Sequence, residues 1–224
     1  RETVNEATTA ERQLDQVQPG VIRAFTQTEL KSVLSTLKDI GRNEPAVADL
    51  LASERPLKDF IAQAFTLSPY LRDSAVADEG LLTLAISRPI DETLSALVKD
   101  ARDSWRPDDG GSYPSEAEVM TRLRTAKRRL SFIAALADLG RIFVARDTTR
   151  WLSDMADASL AAAIDHLLVS SHQSGKLTLK SMETPSEGSG LIVLGMGKLG
   201  AQELNYSSDI DAVVFFEPSA EIVA

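Results

Sequence analysis

Two aspartates one residue apart, Asp209 and Asp211, stand at the head of an apolar run at 212–216 reading Ala-Val-Val-Phe-Phe. Where extended backbone reaches over them, both carboxylates leave the same side of the strand, about 6–7 Å apart, and Ile210 turns into the core. Paired oxygen donors of this kind hold two divalent cations about 3.5–4 Å apart, the arrangement that supports in-line displacement at phosphorus. Just upstream, residues 191–200 read Leu-Ile-Val-Leu-Gly-Met-Gly-Lys-Leu-Gly, an apolar strand entering a glycine-punctuated turn and a helix start. Glycines at 195 and 197 let backbone approach a phosphate with no Cβ in the way. The helix start at Lys198–Gly200 offers unpaired N–H groups to an anion, and the Lys198 ammonium adds a point charge. Ser207 and Ser208 either hold phosphate oxygens or a metal-bound water, or cap a turn. Asn205 is expected to end the short helix in the left-handed conformation, and Glu203 is expected to be structural. The chemistry these residues suit is metal-dependent nucleotidyl transfer.

The same glycines satisfy GxGxxG, the fingerprint of dinucleotide-binding folds. Chain length argues against that fold, because a parallel crossover needs a dozen or more residues, usually with a full helix. Only residues 201–211 separate Gly200 from the next apolar run, and 205–209 of these read as turn. Glu217 arrives slightly early for a ribose-binding acid, and the paired aspartates would be idle.

The elements that must position these residues are mostly helical. Leu30, Val33, Leu34, Leu37 and Ile40 recur at helical steps before Gly41. Shorter helices are expected at 47–52 and 56–67, with Pro56 and Pro69 suited to first turns. Longer ones are expected at 91–105 and 116–139, separated by a Pro-, Asp- and Gly-rich loop at 106–114, with Gly140 as a stop; an alanine-rich helix follows at 151–168. Residues 1–19 read as a polar, frayed helix. At 176–180 Leu177 and Leu179 alternate with polar residues, which favours a short strand, and 185–190 read as a turn or hinge. The expected fold is mainly α with a C-terminal α/β segment, divided into a helical body at 1–172 and the start of a second domain at 173–224.

The string GMGKLGAQELNYSSDID resembles the signature of the bifunctional glutamine synthetase adenylyltransferase/adenylyl-removing enzymes, within the polymerase-β-like nucleotidyltransferases. FTLSPYL at 65–71, LRTAKRRLSFIAALADL at 123–139 and TTRWLSDMADA at 148–158 are similar to the helical region preceding the catalytic module there, so the likeness runs from about residue 45 onward. The resemblance implies metal-ligating roles for Asp209 and Asp211 with Mg2+ or Mn2+. It also implies nucleotide or phosphate contacts at Gly195, Gly197, Lys198 and Gly200, with ATP or ADP and phosphate as small substrates. Family members share Lys198, where the wider superfamily commonly has a small residue, so polymerase-like triphosphate contacts do not carry over in detail. Glutamine synthetase and the nitrogen-signalling PII protein are the implied partners. The helical lead-in resembles the half that removes AMP by phosphorolysis; an adenylyl-transferring module using ATP, or a helical protein-binding scaffold, are the alternatives. Polymerase-β-like sites also use a third carboxylate on a later strand. Glu217 and Glu221 lie too close to the aspartates to supply it, which implies an unfinished sheet and little activity for these residues alone.

Composition narrows the rest. The net charge of −9 and pI near 4.8 argue against nonspecific nucleic-acid binding. Cysteine is absent, which removes disulfides and thiolate metal sites and fits a cytoplasmic location. No apolar run approaches the roughly 20 residues of a membrane span. Arg122, Arg124, Lys127, Arg128 and Arg129 form a basic cluster, read as a solvated face opposite Val119, Leu123, Ala126, Leu130 and Ile133. His166 and His172 do not share a helix face, and Trp105 and Trp151 read as packing residues.

Overall fold

A computed structural model describes residues 11–17, 26–108 and 111–217. Two compact units divide the chain, Arg1–Thr93 with Ala135–Ile142 and Leu94–Ala134 with Phe143–Ala224. Of the polar segment at 1–19, only 11–17 lie within the described residues, and Leu14–Gln16 form a single 3-10 turn there.

The first unit carries α1 (Gln27–Gly41), α2 (Pro45–Ala52), α3 (Pro56–Leu67), α4 (Pro69–Ala77) and α5 (Leu81–Ser87). Local sequence starts α1 to α4. Thr26 and Glu29 close a capping box on α1, with the Thr26 N–H donating to Glu29 and the Glu29 N–H to the Thr26 hydroxyl. Prolines open α2, α3 and α4 at a position whose N–H would be unsatisfied anyway. α5 starts differently. Glu44, 5% exposed, accepts hydrogen bonds from the Gly80 N–H, the Thr83 N–H and the Thr83 hydroxyl at 2.8, 3.0 and 2.7 Å. A carboxylate 36 residues upstream therefore caps this helix. Apolar stripes then pack together, with Leu37, Leu50, Ile61, Phe65, Leu71 and Leu82 all buried.

The second unit contains α6 (Ile90–Arg102) from Leu94 onward, α7 (Glu116–Leu139) up to Ala134, and α8 (Ala145–Gln173). Trp105 sits at its centre, 1% exposed, stacked on Tyr113 with the Arg106 guanidinium 4.5 Å from its ring centroid. Arg102 donates to the buried Asp165 at 2.6 Å, and the same carboxylate accepts the Ser186 N–H. The apolar side of α7 is buried as its sequence implies. Arg122 does not merely face solvent: it reaches the carbonyls of Ser104 and Arg106 and the Asp108 carboxylate, stapling the loop at 103–108.

Two expectations need correction. α8 begins at Ala145, six residues before the expected start, because the Asp147 carboxylate accepts the Val144 N–H and caps it. The segment 176–180 forms no strand beyond a single bridge at Leu177. Its backbone is diverted to side chains and turns: the Leu179 N–H donates to the His172 ring, and the Ser181 hydroxyl accepts the Glu183 and Thr184 N–H groups. As expected, α7 ends at Leu139 with Gly140 as the stop, and the following residue, Arg141, is left-handed with φ of 56°. Space at Gly140 is tight, since a Cβ there would lie 3.0 Å from the Leu136 carbonyl oxygen and 3.4 Å from Phe60 and Val17.

After the loop at 174–190 comes a hairpin of β1 (Leu191–Gly195), α9 (Gly197–Gly200) and β2 (Ala212–Phe216). The strands pair antiparallel from Leu191 opposite Phe216 to Gly195 opposite Ala212. Antiparallel pairing excludes the dinucleotide-binding reading, which needs a parallel crossover. Among the described residues the fold is mainly α with one small two-stranded sheet. Among the described residues no helix is long and apolar enough to cross a membrane.

Candidate active site

The glycine turn is compact for reasons internal to it. A Cβ on Gly200 would come within 2.4 Å of the Gly195 carbonyl oxygen, and one on Gly195 within 3.0 Å of the Leu199 side chain. These two glycines let the one-turn helix α9 press against the end of β1. Gly197 differs, since its φ is +54° and its missing Cβ faces the Asp211 Oδ2 at 3.4 Å. The fold thus sets the Asp211 carboxylate directly beside the left-handed glycine.

α9 ends in a Schellman arrangement, with the Glu203 N–H donating to the Lys198 carbonyl at 2.7 Å and the Gln202 N–H to the Leu199 carbonyl at 2.9 Å. The left-handed residue is Gln202, φ 60°, where the sequence pointed to Asn205. Asn205 instead organises the next turn. Its side-chain oxygen accepts the Ser208 hydroxyl at 2.7 Å and the Ser207 N–H at 3.2 Å. The Ser208 hydroxyl is therefore engaged in the turn, while Ser207 is exposed. One buried hydrogen bond anchors this loop on α8: the N–H of Leu204, whose side chain is 6% exposed, donates to the fully buried Ser153 hydroxyl at 3.1 Å.

The strand does not extend over both acids. β2 begins at Ala212, and the ladder gains one further bond, from the Met196 N–H to the Asp211 carbonyl at 2.7 Å. Beyond it β1 has already turned into α9, so Asp209 and Ile210 have no partner strand. Ile210 is accordingly 46% exposed and does not enter a core as expected. Asp209, Asp211 and Lys198 are all exposed. Among the described residues no cluster of three or more His, Cys, Asp or Glu side chains is placed to hold a metal. Two accessible carboxylates do suit Mg2+ or Mn2+, hard cations that keep several waters and take only one or two protein carboxylates. Ser153 and Gln202 escaped the sequence reading. Ser153 lay inside the expected helix, but its partner Leu204 is 51 residues away and invisible to local pattern; the preference for Asn in left-handed positions hid Gln202.

Residues 59–223 match the model of the glutamate-ammonia ligase adenylyltransferase family. The chain is 76% identical over 215 residues to a protein of Agrobacterium fabrum named bifunctional glutamine synthetase adenylyltransferase/adenylyl-removing enzyme, covering 96% of this chain and 22% of that one. Proteins of the same name from Rhizobium meliloti and Mesorhizobium japonicum are 50% and 38% identical, covering 95% and 93% of this chain and 22% and 21% of theirs. The chain thus spans about a fifth of the length of these relatives. No solved structure matches it. With three quarters of its length inside the family model, and with that match running through the glycine turn and both aspartates, the chain belongs to the glutamate-ammonia ligase adenylyltransferase family.

Proposed function

We propose that the hairpin is part of a metal-dependent nucleotidyltransferase centre that removes AMP from adenylylated glutamine synthetase by phosphorolysis. The observation that carries this reading is the seating of the Asp211 carboxylate beside Gly197, with Asp209 two residues away and both open to solvent. Asp209 and Asp211 hold Mg2+ or Mn2+, which when bound supplies charge neutralisation at the phosphoryl oxygens. Lys198 and Ser207, both exposed, lie in the turns flanking the acids and bind ADP or inorganic phosphate oxygens. In the step itself a phosphate oxygen attacks the α-phosphorus of the tyrosyl-AMP ester, the bond from phosphorus to the tyrosine oxygen breaks, ADP forms, and the freed oxygen takes up a proton. PII protein regulates the whole enzyme, which works in the cytoplasm.

Every residue of β2 is exposed, and among the described residues no group of three or more acidic or His side chains is placed to hold a metal. The 224 residues alone are therefore expected to turn over poorly. A chimera tests the assignment: the Agrobacterium relative carries these residues in place of its matching segment, and phosphate-dependent ADP release from adenylylated glutamine synthetase is followed. Asp209→Asn with Asp211→Asn lowers that rate by about a hundredfold or more. An unchanged rate rejects the site.

A further inference from the structure

An open groove of about 950 Å³ runs between the first turns of α8 and the loop after α9. One wall presents Arg146, Thr149 and Arg150, and the other Gln202, Glu203 and Asn205. The second wall is continuous with the candidate active site at both ends. It starts at the Schellman bond to Lys198 and ends at the turn closed by Ser208, immediately before Asp209.

The groove's chemistry selects among ligands. Among its lining residues there is no aromatic ring on which a nucleobase stacks, and its apolar surface comes from Ala145, Ala201 and the aliphatic stems of its polar side chains. Arg146 and Arg150 are four apart on one helix and project from the same face. The Arg146 guanidinium has no ion-pair partner among the described residues, and Arg150 has only a long 3.9 Å contact to Asp154. Opposite them stands the Glu203 carboxylate, which repels a polyphosphate, with its several closely spaced charges, more than a segment bearing separate single carboxylates. The Gln202 amide nitrogen and the Asn205 amide oxygen are already bonded to Asp157 and to the Ser207–Ser208 turn, which leaves one free acceptor and one free donor group facing the groove. Carboxylates for the guanidiniums, with backbone N–H and C=O groups for the opposing wall, describe an extended peptide.

We infer that this groove binds an acidic, extended segment of the polypeptide substrate and so presents its modified residue to Asp209 and Asp211. The inference rests on the transferase reading above and names the substrate surface of the same site. On a chain of net charge −9, attraction of an acidic segment has to be local, and the arginine pair provides it.

The test is fluorescence anisotropy on the 224-residue chain at low salt. The probe is a labelled 12-residue peptide with a central tyrosine flanked by glutamates. Arg146→Glu with Arg150→Glu weakens binding about tenfold or more. Glutamate suits the first turns of a helix, so α8 stays folded, and Arg146→Gln with Arg150→Gln gives a smaller loss in the same direction. Arg124→Ala with Lys127→Ala, exposed on α7, leaves affinity unchanged. Asp209→Asn with Asp211→Asn removes Mn2+ binding but keeps the peptide, so a failure of the metal site is distinguishable from a failure of the groove. The inference is overturned if the peptide does not bind, if both arginine pairs matter equally, if a glutamine version binds as well, or if inorganic triphosphate binds the groove in place of the peptide.

Discussion

The α1–α5 body and the β1–α9–β2 hairpin solve the same physical problem in opposite ways. In the body, α1 and α4 carry their own side-chain caps, α2 and α3 open on prolines, Glu44 caps α5, and the apolar stripes are buried. In the hairpin the backbone is well bonded, yet Ile192, Leu194, Val213, Val214, Phe215 and Phe216 are all at least 38% exposed. Its shape comes from steric necessity at glycines and from one docked loop, with Leu191 packed against the Trp105 cluster and Leu199 buried. The body is held by burial, and the site by conformation. Substitutions at glycines and single hydroxyls should therefore act on the hairpin out of proportion to their size, whereas the body should yield only to loss of buried partners.

The largest effect separating the two is at glycine. Gly200→Ala drives a methyl to 2.4 Å from a backbone oxygen and must open the turn. It should abolish Mn2+ binding and cost the hairpin about 2–3 kcal/mol, read by hydrogen exchange of the strand amides. Gly80→Ala in the body, at φ +83° with open space around it, should cost only about 1 kcal/mol by denaturant unfolding and leave metal binding intact. Next is Glu44→Ala. It leaves the Gly80 and Thr83 N–H groups at the start of α5 without their acceptor and should destabilise the body by about 2–3 kcal/mol, again without touching the metal site. Ser153→Ala is smaller, about 1–2 kcal/mol, because it removes one acceptor from the buried Leu204 N–H. It should weaken Mn2+ binding as well, since the loop it anchors leads to both aspartates. If Ser153→Ala lowers stability and leaves metal affinity unchanged, the loop does not position the acids.

The smallest effect is electrostatic. Burial pushes the Asp154 and Asp157 carboxyls above the usual aspartate value of 3.8, and Asp154 adds to the rise at Asp157. A raised carboxyl binds its proton more tightly in the folded state. Its stabilising contribution is complete below pH 3.8 and is lost as the pH climbs through the raised value. Asp154→Asn should therefore raise Tm slightly at neutral pH, and the gain should vanish in acid. A Tm gain of equal size at both ends of the pH scale would contradict the burial cause.

Much of the body was legible because helical periodicity and proline placement act locally. Pro56 and Pro69 open helices where expected, and α7 spans its expected 116–139. What was not legible depends on distant partners. Nothing near Gly80 says that Glu44 will cap α5, and the alternation at 176–180 loses to the His172 ring and Ser181. In the site, the glycines and the acid pair were visible as a pattern, but their causes were not. Gly195 and Gly200 answer to Leu199 and to each other before they answer to any ligand. The strand's failure to reach Asp209 follows from β1 turning away at Met196, which alternation of residue types does not reveal.

The most direct measurement is titration of Mn2+ into the 224-residue chain, followed by calorimetry or electron paramagnetic resonance, before and after Asp209→Asn with Asp211→Asn. Saturable binding in the parent chain, weakened tenfold or more by the double substitution, is the result expected of two carboxylates gathered at the glycine turn. A parent chain that takes up no Mn2+, or one whose affinity survives the loss of both acids, contradicts it.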